Sequence, residues 1–126
     1  MNTQHGLFHW NELMTRDLKR TKEFYGATLG WTFEGMPMPE GTYWVASADG
    51  APAGGIFEMT GPAFQNVPEH WLAYVSVDNV DTRVATALKN GASAIRMPFD
   101  IPDVGRIAIL HAPGGAAIGL ITPAAR

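Results

Sequence analysis

Hydrophobic and polar residues alternate from Phe8 to Thr15 (FHWNELMT). This predicts a strand with Trp10, Glu12 and Met14 on one face and His9, Asn11 and Leu13 on the other. At Asp17 the period changes. Leu18, Phe24, Tyr25, Thr28 and Leu29 recur at helical spacing, the Asp17 carboxylate can cap the first turn, and Gly30 supplies a left-handed stop. Trp31 to Phe33 opens a new strand, and the prolines of Met36-Pro37-Met38-Pro39-Glu40-Gly41 predict a loop, because proline has no donor for a sheet. Thr42 to Ala48 reads as a strand, Asp49-Gly50 as a hairpin turn, and Gly54 to Met59 as the strand that returns from it. Gly61, Pro62 and Pro68 mark Thr60 to Glu69 as a connection.

The same order of parts then recurs. Trp71 to Val77 predicts a strand. Asp78 to Asn90 predicts a helix, capped by Asp78 and closed by Gly91, with Val80, Val84, Ala87 and Leu88 as its apolar stripe. Ala94 to Met97 reads as a short strand, Pro98 to Gly105 as a loop, Arg106 to His111 as a strand, Pro113-Gly114-Gly115 as a turn, and Ala116 to Thr122 as the closing strand. Each copy is strand–helix–strand–strand–strand, and each begins with a His-Trp pair, His9-Trp10 or His70-Trp71. The expectation is an α+β fold in a single domain spanning 1–126. Two tandem βαβββ units, about 7–60 and about 70–123, form a curved mixed sheet around a cleft suited to a small molecule.

Composition narrows the chemistry. Hydrophobic residues make up 46% of the chain, in keeping with a globular protein. A net charge of -3 and the lack of any basic run leave no electrostatic footprint for nucleic acid or a membrane surface. Cysteine is absent, which removes disulfides, thiolate nucleophiles and sulfur metal ligands together. Met1 to His9 has no charged segment followed by an apolar run, and no stretch approaches the roughly 20 apolar residues of a membrane span, so a cytoplasmic protein is expected.

The order and spacing of several short strings resemble the vicinal oxygen chelate superfamily, which includes glyoxalase I, bleomycin-resistance proteins and extradiol dioxygenases. In the first half they are Asp17-Leu18, Phe24-Tyr25 and Leu29-Gly30-Trp31. In the second they are Val75-Ser76-Val77-Asp78-Asn79-Val80-Asp81, Asn90-Gly91-Ala92 and Ala112-Pro113-Gly114-Gly115. The resemblance spans about Phe8 to Thr122 and implies two βαβββ units within a homodimer. It also implies a divalent metal held by His, Gln or Glu from four strands, at positions that fall here on Trp10, Leu72 and Gly119. The fourth position, on the last strand of the first unit, falls near Gly54 or Gly55 when counted from Asp49-Gly50. Matching the string Ile56-Phe57-Glu58-Met59 puts it on Glu58 instead. At least three of these positions hold no donor, so neither a metal nor another cofactor is expected.

Four histidines remain. A one-residue offset sends His9 to the opposite face from Trp10, and His70 lies at the start of its strand beside Pro68. Both read as sheet-edge or helix-facing residues with backbone partners. His111 precedes a turn, and His5 lies near the terminus. Glu12 is the best catalytic candidate. A carboxylate buried beside Trp10 and Met14 would have its charged form disfavoured, as a general base or acid requires. The weightier reading makes it a structural partner of Arg96, Arg106 or a backbone N–H. The strand aromatics include Trp10, Tyr43, Trp44, Phe57, Trp71 and Tyr74, and alternation sends some to the cleft and some under the helices. Trp10, Met14, Trp44, Phe57, Leu72 and Tyr74 are the expected ligand-binding residues.

Two functions follow. One is a metal-free, bleomycin-resistance-like protein that binds a small, partly aromatic or apolar molecule. The other is an enzyme of the same superfamily. In a metal-dependent form Glu58 with His70 or His9 would hold the ion for lyase, isomerase or dioxygenase chemistry, and in a metal-free form Glu12 would move a proton beside a carbonyl.

Overall fold

The structure, a computed structural model, describes residues 4–38 and 41–124. Among them are eight strands and two helices in the order β1 (Phe8–Thr15), α1 (Leu18–Leu29), β2 (Thr32–Met38), β3 (Gly41–Ala48), β4 (Ala51–Glu58), β5 (His70–Ser76), α2 (Val80–Lys89), β6 (Ser93–Ile101), β7 (Gly105–His111) and β8 (Ala117–Pro123). The order is βαβββ twice, as the alternation predicts, and the class is α+β.

The chain falls into two compact units. Asn11–Trp71 forms a central unit, and the described residues up to Trp10 and from Leu72 onward form a terminal unit. Hydrogen-bonded strand order is β2-β3-β4-β1 in the central unit and β1-β5-β8-β7-β6 in the terminal one. Strand β1 therefore gives its second half to the first and its opening residues to the second. The Gly6 N–H donates to the Ser76 carbonyl, and the Ser76 N–H donates to Leu7.

Both sheets are mixed. In the central unit β1 runs parallel to β4, while β2–β3 and β3–β4 are antiparallel. In the terminal unit β5 is parallel to β8, and β8–β7 and β7–β6 are antiparallel. Local chemistry sets the junctions. Asp17 accepts from the Arg20 N–H to start α1, and Gly30 at φ 73° ends it by donating to the Gly26 carbonyl. Asp49 and Gly50, at φ 50° and 81°, make the two-residue turn between β3 and β4 that twisted strands favour.

Three expectations are corrected. Residues 36–38 are strand, not loop: β2 is the outer strand of its sheet, where Pro37 forfeits no ladder bond, while Pro39 and Glu40 lie outside the described residues. Likewise β6 continues through Pro98 to Ile101, because it too is an outer strand and its register shifts between Arg96 and Phe99 take up the proline. The cap of α2 is Asn79, which accepts from the Thr82 N–H; Asp78 instead takes both Arg83 guanidinium bonds at 2.9 Å.

Each helix covers one face of its own sheet. Thr15 of β1 shares a buried 2.8 Å hydrogen bond with Thr21 of α1, and the Lys22 ammonium sits 3.6 Å above the Trp44 ring of β3. Val80 and Val84 of α2 close a core with Val77, Ala108 and Leu110. Burial of each such aliphatic side chain is worth roughly 1.5–3 kcal/mol.

Candidate functional site

These helix contacts decide which strand residues face away from the helices. Thr15 and Trp44 mark the α1 side of the central sheet. Residues of that parity, Leu13 on β1 and Ile56 on β4, lie with them, since Leu13 pairs with Ile56 and Ile56 with Trp44. The opposite face carries Glu12, Met14, Gly55 and Phe57, brought level by the pairs Glu12–Gly55 and Met14–Phe57, with Val45 beside Gly55 and Tyr43 further along β3. Trp10 has the parity of Glu12 and Met14. Glu12 and Met14 are only 8% and 6% exposed, whereas Phe57, Val45 and Tyr43 are half-buried.

In the terminal unit Val75 and Val77 point to the α2 core, so Leu72, Tyr74 and Ser76 of β5 occupy the other face. Tyr74 pairs with Gly119 of β8, and Ile121 lies two residues on. Leu72, Tyr74, Ser76 and Ile121 are all buried. The Tyr74 ring passes directly over Gly119. A Cβ at that glycine would stand 2.8 Å from Tyr74 Cγ and nearer still to Cδ2 and Cε2.

One expected lining residue does not join these faces. Trp44 is on the α1 side beneath Lys22 and is not with Glu12. Trp71, also a strand aromatic, packs on the α1 side too: its ring meets Tyr25 and Trp31 edge-on at 5.8 and 6.1 Å, and its indole N–H donates to the Tyr25 hydroxyl at 3.2 Å. Trp10, Glu12, Met14 and Phe57 share a parity on the parallel pair β1–β4, and Leu72 and Tyr74 share one on β5. Sequence reading missed Phe64. It lies on the connection after β4 and sets its ring 5.7 Å from that of Phe57. An aromatic residue between Gly61-Pro62 and Pro68, in a segment otherwise built for turning, was the available signal.

An open apolar recess of about 240 Å³ lies elsewhere, between the end of α2 and β7–β8, with Ala87, Ala92, Leu110 and Pro113 among its walls. It is on the helix side of the terminal unit, apart from Tyr74 and Gly119. Among the described residues no helix is long and apolar enough to cross a membrane.

Residues 8–44 match the bleomycin resistance protein-like N-terminal family. CFP32 of Mycobacterium tuberculosis, which carries a glyoxylase name, is 39% identical over 120 residues, covering 94% of this chain and 45% of CFP32. The anthracycline biosynthesis protein DnrV of Streptomyces peucetius is 26% identical over 123 residues, covering 88% of this chain and 45% of DnrV. The chain thus spans a little under half the length of these relatives. Among solved structures, a Streptomyces coelicolor methylmalonyl-CoA epimerase variant with 2-nitronate-propionyl-CoA superposes at TM-score 0.69 with 22% identity, covering 98% of this chain and all of that one. The Mycobacterium tuberculosis methylmalonyl-CoA epimerase superposes at 0.68 with 15% identity, covering 99% and 93%.

The chain belongs to the vicinal oxygen chelate superfamily.

Members of that superfamily commonly hold a divalent metal, and strand register identifies which β4 residue corresponds to Gly119. Glu12 stands five residues before the cap Asp17 and pairs with Gly55; Tyr74 stands five before the cap Asn79 and pairs with Gly119. Gly55 is therefore the counterpart of Gly119. Glu58 pairs with Thr15 and belongs to the helix side. The set is Trp10, Gly55, Leu72 and Gly119, which offers an ion no carboxylate or imidazole, and the Tyr74 ring fills the space a ligating side chain at 119 would use. The metal does not fit. Among the described residues no three His, Asp or Glu side chains come together elsewhere, and His70 donates from Nδ1 to its neighbour, the Pro68 carbonyl, at 2.8 Å.

Proposed function

We propose that this vicinal oxygen chelate protein binds a small, partly aromatic or apolar organic molecule against the sheet faces turned away from α1 and α2, without a metal. The observation that carries the reading is the exchange at the superfamily's metal positions. Trp10, Gly55, Leu72 and Gly119, with the Tyr74 ring laid over Gly119, present apolar and aromatic surface where donors would be needed. Apolar walls with few polar groups suit an organic ligand. Trp10, Met14, Phe57, Leu72 and Tyr74 are the proposed contacts, and Trp44 leaves that set because it faces α1. The names of the relatives suggest ligands to try: an anthracycline, from DnrV, and an acyl-CoA, from the epimerases. Titration of chelator-treated protein with doxorubicin and with propionyl-CoA tests the reading. Saturable binding of either supports it, and binding of neither at millimolar concentration contradicts it. The protein is proposed to act in the cytoplasm as a homodimer.

A second reading has its own support. Glu12 is a carboxylate only 8% exposed on the same face as Met14 and Phe57. Such a group can take a proton from carbon beside a carbonyl and return it, which is metal-free isomerase chemistry. Solvent deuterium entering the α-carbon of propionyl-CoA in wild type, but not in Glu12→Gln, is the result this reading requires.

A further inference from the structure

On the face of the central sheet turned away from α1, Glu12 and Met14 are buried, while Phe57 stays half-buried. Its partner there is Phe64, also half-buried, with the two rings 5.7 Å apart and tilted by 55°. Phe64 comes from no strand. It ends the short 3-10 turn Pro62–Phe64 on the segment that leaves β4, and that segment is tied down along its length. The Phe64 N–H donates to Gly61, the Gln65 N–H to Pro62, and the Val67 N–H to the Phe64 carbonyl. That carbonyl also accepts from the Arg16 guanidinium, and the Arg16 N–H in turn donates to the Glu69 carboxylate at 2.9 Å. Arg16 directly follows Thr15, the last residue of β1. The connecting segment is thus a strap, tethered to the foot of β1 at Phe64 and Glu69, and it holds one aromatic ring against that face.

We propose that Phe57 and Phe64 together recognise a planar aromatic ring system, with Phe64 the specificity-determining residue. The inference rests on the ligand-binding reading above and narrows its substrate class. Two rings tilted by 55° cannot stack on each other, so each keeps part of its face and edge for a third ring, which can lie flat on one and meet the edge of the other. The strap matters because a pre-positioned ring loses little freedom on binding. An aliphatic acyl chain would gain from the apolar area but not from ring geometry.

The test compares the dissociation constants of doxorubicin, a planar fused-ring probe, for wild type, Phe64→Leu and Phe64→Tyr, with propionyl-CoA as an aliphatic probe for the same proteins. Phe64→Tyr keeps the ring and Phe64→Leu keeps the bulk, and melting temperature checks that both fold. The expected result is doxorubicin binding about tenfold weaker in Phe64→Leu and within about twofold of wild type in Phe64→Tyr. Equal doxorubicin affinity in wild type and Phe64→Leu overturns the proposal. Wild type that binds propionyl-CoA but not doxorubicin also overturns it, while leaving the ligand-binding reading intact. Wild type that binds neither overturns both.

Discussion

The Tyr74 ring and Gly119 interlock across the parallel pair β5–β8: the tyrosine can be buried, 3% exposed, because residue 119 has no side chain. Each residue presupposes the other. A carboxylate at 119 and the aromatic ring at 74 would claim the same volume, so this packing admits only one of them. Gly119→Ala is expected to destabilise the protein by about 1–3 kcal/mol or more, as overpacking does. Tyr74→Ala is expected to cost about 3–5 kcal/mol through the cavity it leaves. The double variant should lose clearly less than the sum of the two. Urea denaturation of the four proteins reads this coupling, and strict additivity would show that the ring and the glycine do not compete for space.

Glu12 separates binding from chemistry. Glu12→Gln keeps the shape of the side chain and removes its charge, so affinity for an apolar ligand should stay within about twofold of wild type. Proton exchange, where wild type supports it, should vanish. A large loss of affinity would instead make the Glu12 carboxylate a ligand contact.

Asp78 provides a prediction for acid stability. Two hydrogen bonds from Arg83, together with the Asn79 N–H, hold its carboxyl at about 2, below the ordinary 3.8. A carboxyl depressed in the folded state adds stability that is fully present above its unfolded value and is lost as pH falls through its folded value. The melting temperature of Asp78→Asn should therefore lie below that of wild type at pH 7. The gap should narrow as pH falls from about 4 toward about 2. A gap that is constant across that window would remove Asp78 ionisation from the account.

Much of the fold was legible because its signals are local. The FHWNELMT alternation, the Asp17 and Gly30 caps and the Asp49-Gly50 turn each work within a few residues, and each lies where the pattern puts it. What was not legible depends on partners far along the chain. Pro37 and Pro98 read as loop until β2 and β6 prove to be outer strands, where a missing N–H breaks no ladder bond. Asp78 and Asn79 are both good caps, and Arg83 claims the first. The role of Glu58 turned on a parallel register that no local string determines, and pairing with Thr15 puts it on the helix side. Trp44 looked like lining because it is a strand aromatic, but alternation gives two faces and only the contact with Lys22 tells which is which. Phe64 escaped notice because its position comes from the Arg16 tether across 48 residues of sequence.

Metal independence is the most exposed part of the account, and one thermal measurement reaches it directly. The melting temperature of the untagged protein should be the same after chelator treatment and after addition of a modest excess of Ni²⁺, Mn²⁺ or Zn²⁺, because Trp10, Gly55, Leu72 and Gly119 give an ion nothing to bind. A rise of several degrees with any of these ions, reversed by chelator, would contradict it, since an ion that binds the folded protein tightly must stabilise it.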